Sequence, residues 1–186
     1  MMIIQTKRLV IRELTMDDVR SLYVILSDPE TMQYYPKPFT LSQVESWIAW
    51  NLINYAAYGF GLWGVVLKDT GECIGDCGIT MQRIDGSKQP EIGYHIHKEH
   101  TNQGYATEAA LACRNYAFES AGLKTVYSYM KSTNLSSRRV AEKMGMRMIK
   151  EMPDEKKQMT AIYAIALEEY CNLAAGGNID ANGSFE

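Results

Sequence analysis

Cysteine is scarce in this 186-residue sequence. Cys73, Cys77, Cys113 and Cys171 are too few and too irregular for a disulfide framework. Cys73 and Cys77 lie in a strand-like run with no second Cys/His pair at zinc spacing, so no metal is expected. All four read as free thiols of a reducing cytoplasm. No stretch approaches the roughly 18 apolar residues of a membrane helix, and Met1-Met2-Ile3-Ile4-Gln5-Thr6 lacks the pattern of a signal peptide. There is no basic excess either. A net charge of −3 and a pI near 5.7 argue against nucleic-acid binding through a broad basic face, and a mildly acidic surface suits cationic acceptors such as amines. No G-x-G-x-x-G follows a strand and no G-K-[S/T] occurs, which excludes the dinucleotide fingerprint and the Walker loop. These absences leave a soluble cytoplasmic protein: one domain over residues 1–172, with a small, polar, disordered tail over 173–186.

A hydrophobic fraction of 46% with 22% charged residues is ordinary for a globular chain. Arg8 to Leu14 alternates as a first strand. Thr15 with Asp18 resembles a capping box for a helix through Leu26, with Val19, Leu22, Val24, Ile25 and Leu26 as its apolar positions. Thr40-Leu41-Ser42-Gln43 opens a second helix to about Ala57, with Val44, Trp47, Ile48 and Leu52 on one face. Phe60–Leu67 and Glu72–Met81 read as strands joined by a hairpin turn at Lys68–Gly71. Gly75 and Gly78 mark a bulge or a close backbone approach. Asp85 to Pro90 reads as a surface loop. Further strands follow at Lys124–Met130, Met146–Glu151 and Gln158–Leu167, and Asn134 caps a helix that Gly145 closes. The order implies a seven-stranded mixed sheet with helices on both faces, of the α/β or α+β class.

The stretch from Pro90 to Gly122 organises the rest. Ile92, Tyr94 and Ile96 face one side of a strand, and Glu91, Gly93 and His95 the other. Gly104 then opens a helical pattern that Gly122 stops. Strand, small-residue turn and helix N-terminus make an anion site, because the first turn points unpaired N–H groups outward. The same residues would equally serve as a plain strand-to-helix connection.

Three segments resemble one family. Gln103-Gly104-Tyr105-Ala106-Thr107-Glu108-Ala109 is similar to the acetyl-CoA pyrophosphate loop of the GCN5-related N-acetyltransferases (GNAT), especially the branch that acetylates ribosomal-protein N-termini. Asn134-Leu135-Ser136-Ser137 with Glu142-Lys143-Met144-Gly145 resembles its second motif, and Thr6-Lys7-Arg8-Leu9-Val10-Ile11-Arg12 its opening. The resemblance implies a mostly antiparallel GNAT-like sheet and direct transfer of acetyl from acetyl-CoA to a primary amine, without a metal. It implies pyrophosphate contacts from Thr101, Asn102, Gln103, Gly104, Tyr105, Ala106 and Thr107. Ile96 and His97 would pair with the pantetheine arm, and Asn134 and Ser137 would lie beside it. Thr101 stands where the family carries a basic or amide residue, and Ala141 where many members carry a Tyr that protonates the leaving thiolate.

Acyl transfer to an amine needs a base, an N–H donor for the carbonyl oxygen and an acid for the thiolate. Glu91 is the candidate base, with His95 as alternative; Ser137, or Tyr94 or Tyr129 by proximity, is the candidate acid, and N–H groups between Tyr94 and Ile96 are the donors. Glu91 reads equally as a solvated carboxylate at a strand start, and His97 as a surface residue beside Lys98 and Glu99. Tyr34, Tyr35 and Glu91 are expected to shape the acceptor pocket, and Trp47 to belong to the core. The acceptor is expected to be a protein N-terminal α-amine. A small amine (an amino acid, polyamine or antibiotic) is the alternative within the chemistry, and a non-catalytic acyl-CoA sensor is the alternative outside it. Monomer and homodimer are both compatible with the sequence.

Overall fold

The computed structural model describes residues 1–154 and 157–176. Its strands are β1 (Met2–Gln5), β2 (Leu9–Arg12), β3 (Leu62–Leu67), β4 (Cys73–Ile84), β5 (Ser87–Ile96), β6 (Thr125–Lys131), β7 (Arg147–Pro153) and β8 (Met159–Ala166). Its helices are α1 (Val19–Leu26), α2 (Leu41–Tyr58), α3 (Tyr105–Glu119), α4 (Leu135–Lys143) and α5 (Leu167–Gly176). The strands form one sheet in the order β1-β2-β3-β4-β5-β6-β8-β7, antiparallel except where β5 meets β6. The expected mixed α/β architecture is present, with eight strands rather than seven. The added one is β1, four residues paired to β2 at the sheet edge, too short to announce itself by alternation.

Each face of the sheet buries its own cluster. On one, Ile79 and Ile92 of the strands pack with Ala109, Cys113 and Ala117 of α3 and with Val140 and Ala141 of α4. On the other, Leu22, Ile25 and Leu26 of α1 meet Val44 and Ile48 of α2. Each Val, Leu or Ile side chain removed from water here contributes about 1.5–3 kcal/mol, and each Ala methyl about 0.8 kcal/mol. Two expected core positions are exposed: Val24 at 59% and Leu52 at 39%. The α2 face turns instead through Asn51, whose Nδ2 donates to Trp47 C=O at 3.0 Å and whose Oδ1 accepts from Leu62 N–H at 2.7 Å. A buried amide thus ties α2 to the first residue of β3. No apolar periodicity announces such a polar contact.

The β4–β5 connection also corrects the reading of Asp85–Pro90 as a loop. Only Asp85 and Gly86 form the turn, with φ of 48° and 82°, and Ser87 to Pro90 already pair with β4. Two positive φ values in a two-residue Asp-Gly connection match the twist of the flanking strands, so the hairpin closes tightly. Gly75 and Gly78 do mark close approaches. A Cβ would meet His95 O at 1.9 Å from Gly75 and Gly61 O at 2.0 Å from Gly78. At the other end of the chain, residues 173–176 belong to α5, which the sequence reading missed; the remainder of the expected tail, 177–186, lies outside the described residues. All four cysteines are free thiols. Among the described residues no helix is long and apolar enough to cross a membrane.

Candidate active site

The site begins with a failure of pairing. β5 and β6 run parallel and register at one pair, Glu91 with Tyr127, although β5 continues to Ile96 and β6 to Lys131. Beyond that pair the strands part, opening a cleft of about 1080 Å³. His97 N–H bonds Ile74 C=O at 2.9 Å. By strand alternation the backbone groups of Ile96 and Tyr94 therefore face the gap. An extended arm entering there would meet the main chain of Ile96 and Tyr94. His97 is unavailable to it, because its C=O also accepts, from His100 N–H at 2.9 Å. The expected pairing of His97 with the pantetheine arm is thereby corrected.

Past β5 the chain turns into the N-terminus of α3. Asn102 (φ 60°) and Gly104 (φ 83°) take left-handed conformations, and the first bond of the helix runs from Glu108 N–H to Gly104 C=O at 2.9 Å. The N–H groups of Tyr105, Ala106 and Thr107 precede that ladder and stand where an anion would sit. Thr101 spends its hydroxyl on Lys98 C=O at 2.7 Å, and Gln103 its amide on Glu99 C=O at 3.0 Å, so neither side chain is directed to a phosphate. Two sequence segments meet here. Glu108 accepts from Thr6 Oγ1 at 2.6 Å, Arg8 N–H at 2.8 Å and Arg8 Nε at 2.6 Å. Arg8 also donates to Gln103 C=O at 2.9 Å and lies over the Tyr105 ring at 4.2 Å. Although burial alone would raise it, these bonds hold the Glu108 carboxyl below its ordinary range.

The two faces of β5 carry different chemistry. Tyr94 points towards α4, and its hydroxyl donates to Ser137 C=O at 3.0 Å. Asn134 Oδ1 caps that helix by accepting from Ser137 N–H at 3.1 Å. Ala141, the position of the missing family Tyr, is fully buried in the core and does not line the cleft. Tyr94 lines the cleft wall with its phenol against the first turn of α4.

On the opposite face, Glu91 lies within 3.3 Å of Thr80 Oγ1, and Gly93 leaves it room: a Cβ there would come within 3.1 Å of Glu91 Oε2. Burial pushes the Glu91 carboxyl up to about 7, against the opposing pull of Thr80 and His95. His95 is buried. Burial disfavours its charge, but Asp76 outweighs burial and raises it above its ordinary value. Asp76 Oδ1 lies 2.7 Å from His95 Nδ1, and His95 Nε2 lies 2.7 Å from the Tyr35 hydroxyl. Both ring nitrogens are thus engaged, so His95 would have to give up its Tyr35 partner before it could serve as the alternative base. Tyr34 and Tyr35 line the cleft, and Trp47 is both packing and polar, donating Nε1–H to Asp76 Oδ2 at 2.9 Å.

Asp76, Trp47, Thr80, Thr6 and Arg8 escaped the sequence reading as site residues. Asp76 did leave a signal, since it is one charge inside the apolar run Cys73 to Ile79. Only the register of β4 against β5, which sets Asp76 opposite His95, gives that charge a partner.

The chain matches the acetyltransferase (GNAT) domain family over residues 8–147. YkkB of Bacillus subtilis (strain 168) is 36% identical over 159 residues, covering 85% of this chain and 92% of that protein. The N-acetyltransferase YnaD of the same organism is 32% identical over 174 residues, covering 91% and 99%. Among solved structures, an acetyltransferase from Agrobacterium tumefaciens C58 superposes with a TM-score of 0.75 at 31% identity, covering 87% of this chain and 92% of that one. At 18% identity the likeness is one of fold alone; a spermidine N-acetyltransferase from Vibrio cholerae, in complex with CoA and spermine, superposes with a TM-score of 0.72 over 89% of this chain and 99% of that one. Matched by the family across most of its length and by relatives at 36% and 32% identity, the chain belongs to the GNAT acetyltransferases, whose acetyl donor is acetyl-CoA.

Proposed function

We propose that the protein transfers the acetyl group of acetyl-CoA directly to the α-amine of a protein N-terminus, with both substrates bound at once. One observation carries this reading. Glu91 is a half-buried carboxylate at the point where β5 and β6 part; of the other acids that line the cleft, Asp154 is tied to Lys131 and Asp85 to Lys150 at 2.6 Å, and Glu30 is exposed on the loop after α1. One half-buried acid beside the strand gap suits one cationic nitrogen on an otherwise uncharged chain. A polyamine would call for several carboxylates along the groove. The long open cleft, which reaches from Gly104 to Met152, leaves room for residues that follow the reacting amine.

In this reading the N–H groups of Tyr105, Ala106 and Thr107 hold the pyrophosphate, with Asn102 and Gly104 shaping the loop, and the backbone of Ile96 holds the pantetheine arm. Glu91, directly or through one water, accepts a proton from the ammonium. The neutral nitrogen then attacks the thioester carbonyl, whose oxygen takes up charge beside the N–H groups of Tyr94 and Ile96. As the C–S bond breaks, Tyr94 or Ser137 protonates the leaving thiolate, the nitrogen gives up its second proton through water to restore that hydroxyl, and the N-acetyl product departs. Mass spectrometry after incubation with acetyl-CoA and an equimolar mixture of unblocked tetrapeptides, free amino acids and spermidine tests the acceptor. The expected product is peptide acetylated at its α-amine; acetylation confined to the small amines overturns the reading.

A further inference from the structure

The loop between α1 and α2 crosses the Glu91 side of the cleft with little backbone support. Pro36 and Pro38 bring no N–H groups to it. Its main-chain ties are Met32 N–H to Asp28 C=O at 3.0 Å, Gln33 N–H to Glu30 C=O at 3.5 Å, Tyr35 N–H to Met32 C=O at 2.9 Å, and Phe39 N–H to Leu26 C=O at 2.8 Å. Between these lies Tyr35, 42% exposed overall, with its hydroxyl end inserted against His95. The His95 ring sits 5.3 Å from the Tyr35 ring. Behind it stands Asp76, with no exposed surface and both carboxylate oxygens committed, one to His95 and one to Trp47. The chain Trp47–Asp76–His95–Tyr35 therefore runs from α2 through β4 and β5 to the tip of the loop.

We propose that Asp76 is a positioning residue: through His95 it fixes the Tyr35 hydroxyl, and with it residues 31–39, as the wall of the acceptor pocket. The inference rests on the reading that the Glu91 side of β5 receives the amine. Asp76 touches neither substrate. A carboxylate accepts from Nδ1–H whichever charge the ring carries, and Nε2 then pairs with the Tyr35 hydroxyl, accepting from it when the ring is neutral and donating to it when the ring is charged. His95 is the tether in this arrangement, and Tyr35 is the surface that an incoming acceptor meets.

Two measurements on Tyr35→Phe, Asp76→Ala, Asp76→Asn and the double variant Asp76→Ala/Tyr35→Phe test it. The first is hydrogen exchange at the amides of Met32, Tyr35 and Phe39, which needs no acceptor. Exchange should rise about tenfold in Tyr35→Phe and Asp76→Ala, the weight of roughly one hydrogen bond, and should rise no further in the double variant. Asp76→Asn should restore most of the protection, because its Oδ1 still accepts from Trp47 while its Nδ2 donates to Nδ1 and so sends the Nε2 proton towards Tyr35. Unchanged exchange in Tyr35→Phe, a substitution at a half-exposed loop position that leaves the core intact, overturns the tether. The second is the KM for an unblocked tetrapeptide. It should rise about tenfold in Tyr35→Phe while the acetyl-CoA KM holds, and Asp76→Ala should add nothing to it in the double variant. Exchange that rises while the peptide KM stays flat overturns the acceptor-wall role and, with it, the assignment of this face to the acceptor. Additive effects in the double variant show that Asp76 acts apart from Tyr35 and contradict the proposal.

Discussion

Burial raises the Glu91 carboxyl to about 7, so at pH 8 the folded protein holds a charge that the unfolded chain carries at less cost. The sign follows from linkage. A carboxyl whose folded pKa lies above its unfolded value near 4.3 leaves the fold unpenalised while protonated, and costs stability increasingly as pH rises from about 4.5 to 7. Glu91→Gln removes that cost. We expect the variant to be more stable than the wild type at pH 8 by on the order of 1–3 kcal/mol, and nearly equal to it at pH 4.5, in urea melts. A variant less stable at pH 8 would show that the carboxylate is better solvated than its burial implies. The glycines around it separate two kinds of constraint. At Gly75 a Cβ would lie 1.9 Å from a backbone carbonyl, which cannot yield, so Gly75→Ala should cost at least about 3 kcal/mol. At Gly93 the obstacle is the Glu91 carboxylate itself, a movable group. Gly93→Ala should therefore cost less stability than Gly75→Ala and show its effect in turnover, which paired melts and rates would resolve.

Among the elements, α3 has the most to lose from a change at its first turn. Gly104 sits at φ 83°, a conformation that β-branched residues take only under strain. Gly104→Val should abolish acetyl-CoA binding by calorimetry while the melting transition survives; unchanged affinity would remove the pyrophosphate from this loop. Glu108 holds the same turn from below through Thr6 and Arg8. Its carboxyl is depressed, so its contribution is present above the unfolded pKa and lost as pH falls through the folded one. Glu108→Ala should weaken acetyl-CoA binding about tenfold at pH 7 and lower stability by ~1–3 kcal/mol, and the stability difference should begin to narrow as pH falls below about 4. Equal stability at pH 7 would contradict the clamp. The Gly104 turn, the Asn134 cap and the Gly-marked strands were legible in the sequence because each is local chemistry within a few residues. The tight Asp85-Gly86 hairpin was legible in principle and was missed by extending the turn to Pro90. β1 and α5 had no local signal of comparable strength, since they are fixed by what they pack against.

For the molecule as a whole, the sequence carried the architecture but not the juxtapositions that make the site. Alternation along β5 placed Glu91 and His95 on one face and Tyr94 on the other, and the structure keeps that division. That β5 and β6 part after a single pair, that Asp76 stands behind His95, and that Tyr35 reaches across from a loop sixty residues away in sequence are facts of register and tertiary packing. No periodicity encodes them. They also divide the labour of the cleft: α3 and α4 face the donor side, and α2 with its preceding loop faces the side where Glu91 lies. The central claim is that Glu91 takes the proton of the amine there. The most direct measurement is kcat/KM for an unblocked tetrapeptide against pH, in the wild type and in Glu91→Gln. The wild type should rise through an inflection near 7, where Glu91 ionises. The variant should fall about 10²- to 10⁴-fold below it at neutral pH and lack that inflection, with the gap narrowing above about pH 8 as the α-amine itself loses its proton. Coincident profiles for the two proteins would contradict the account.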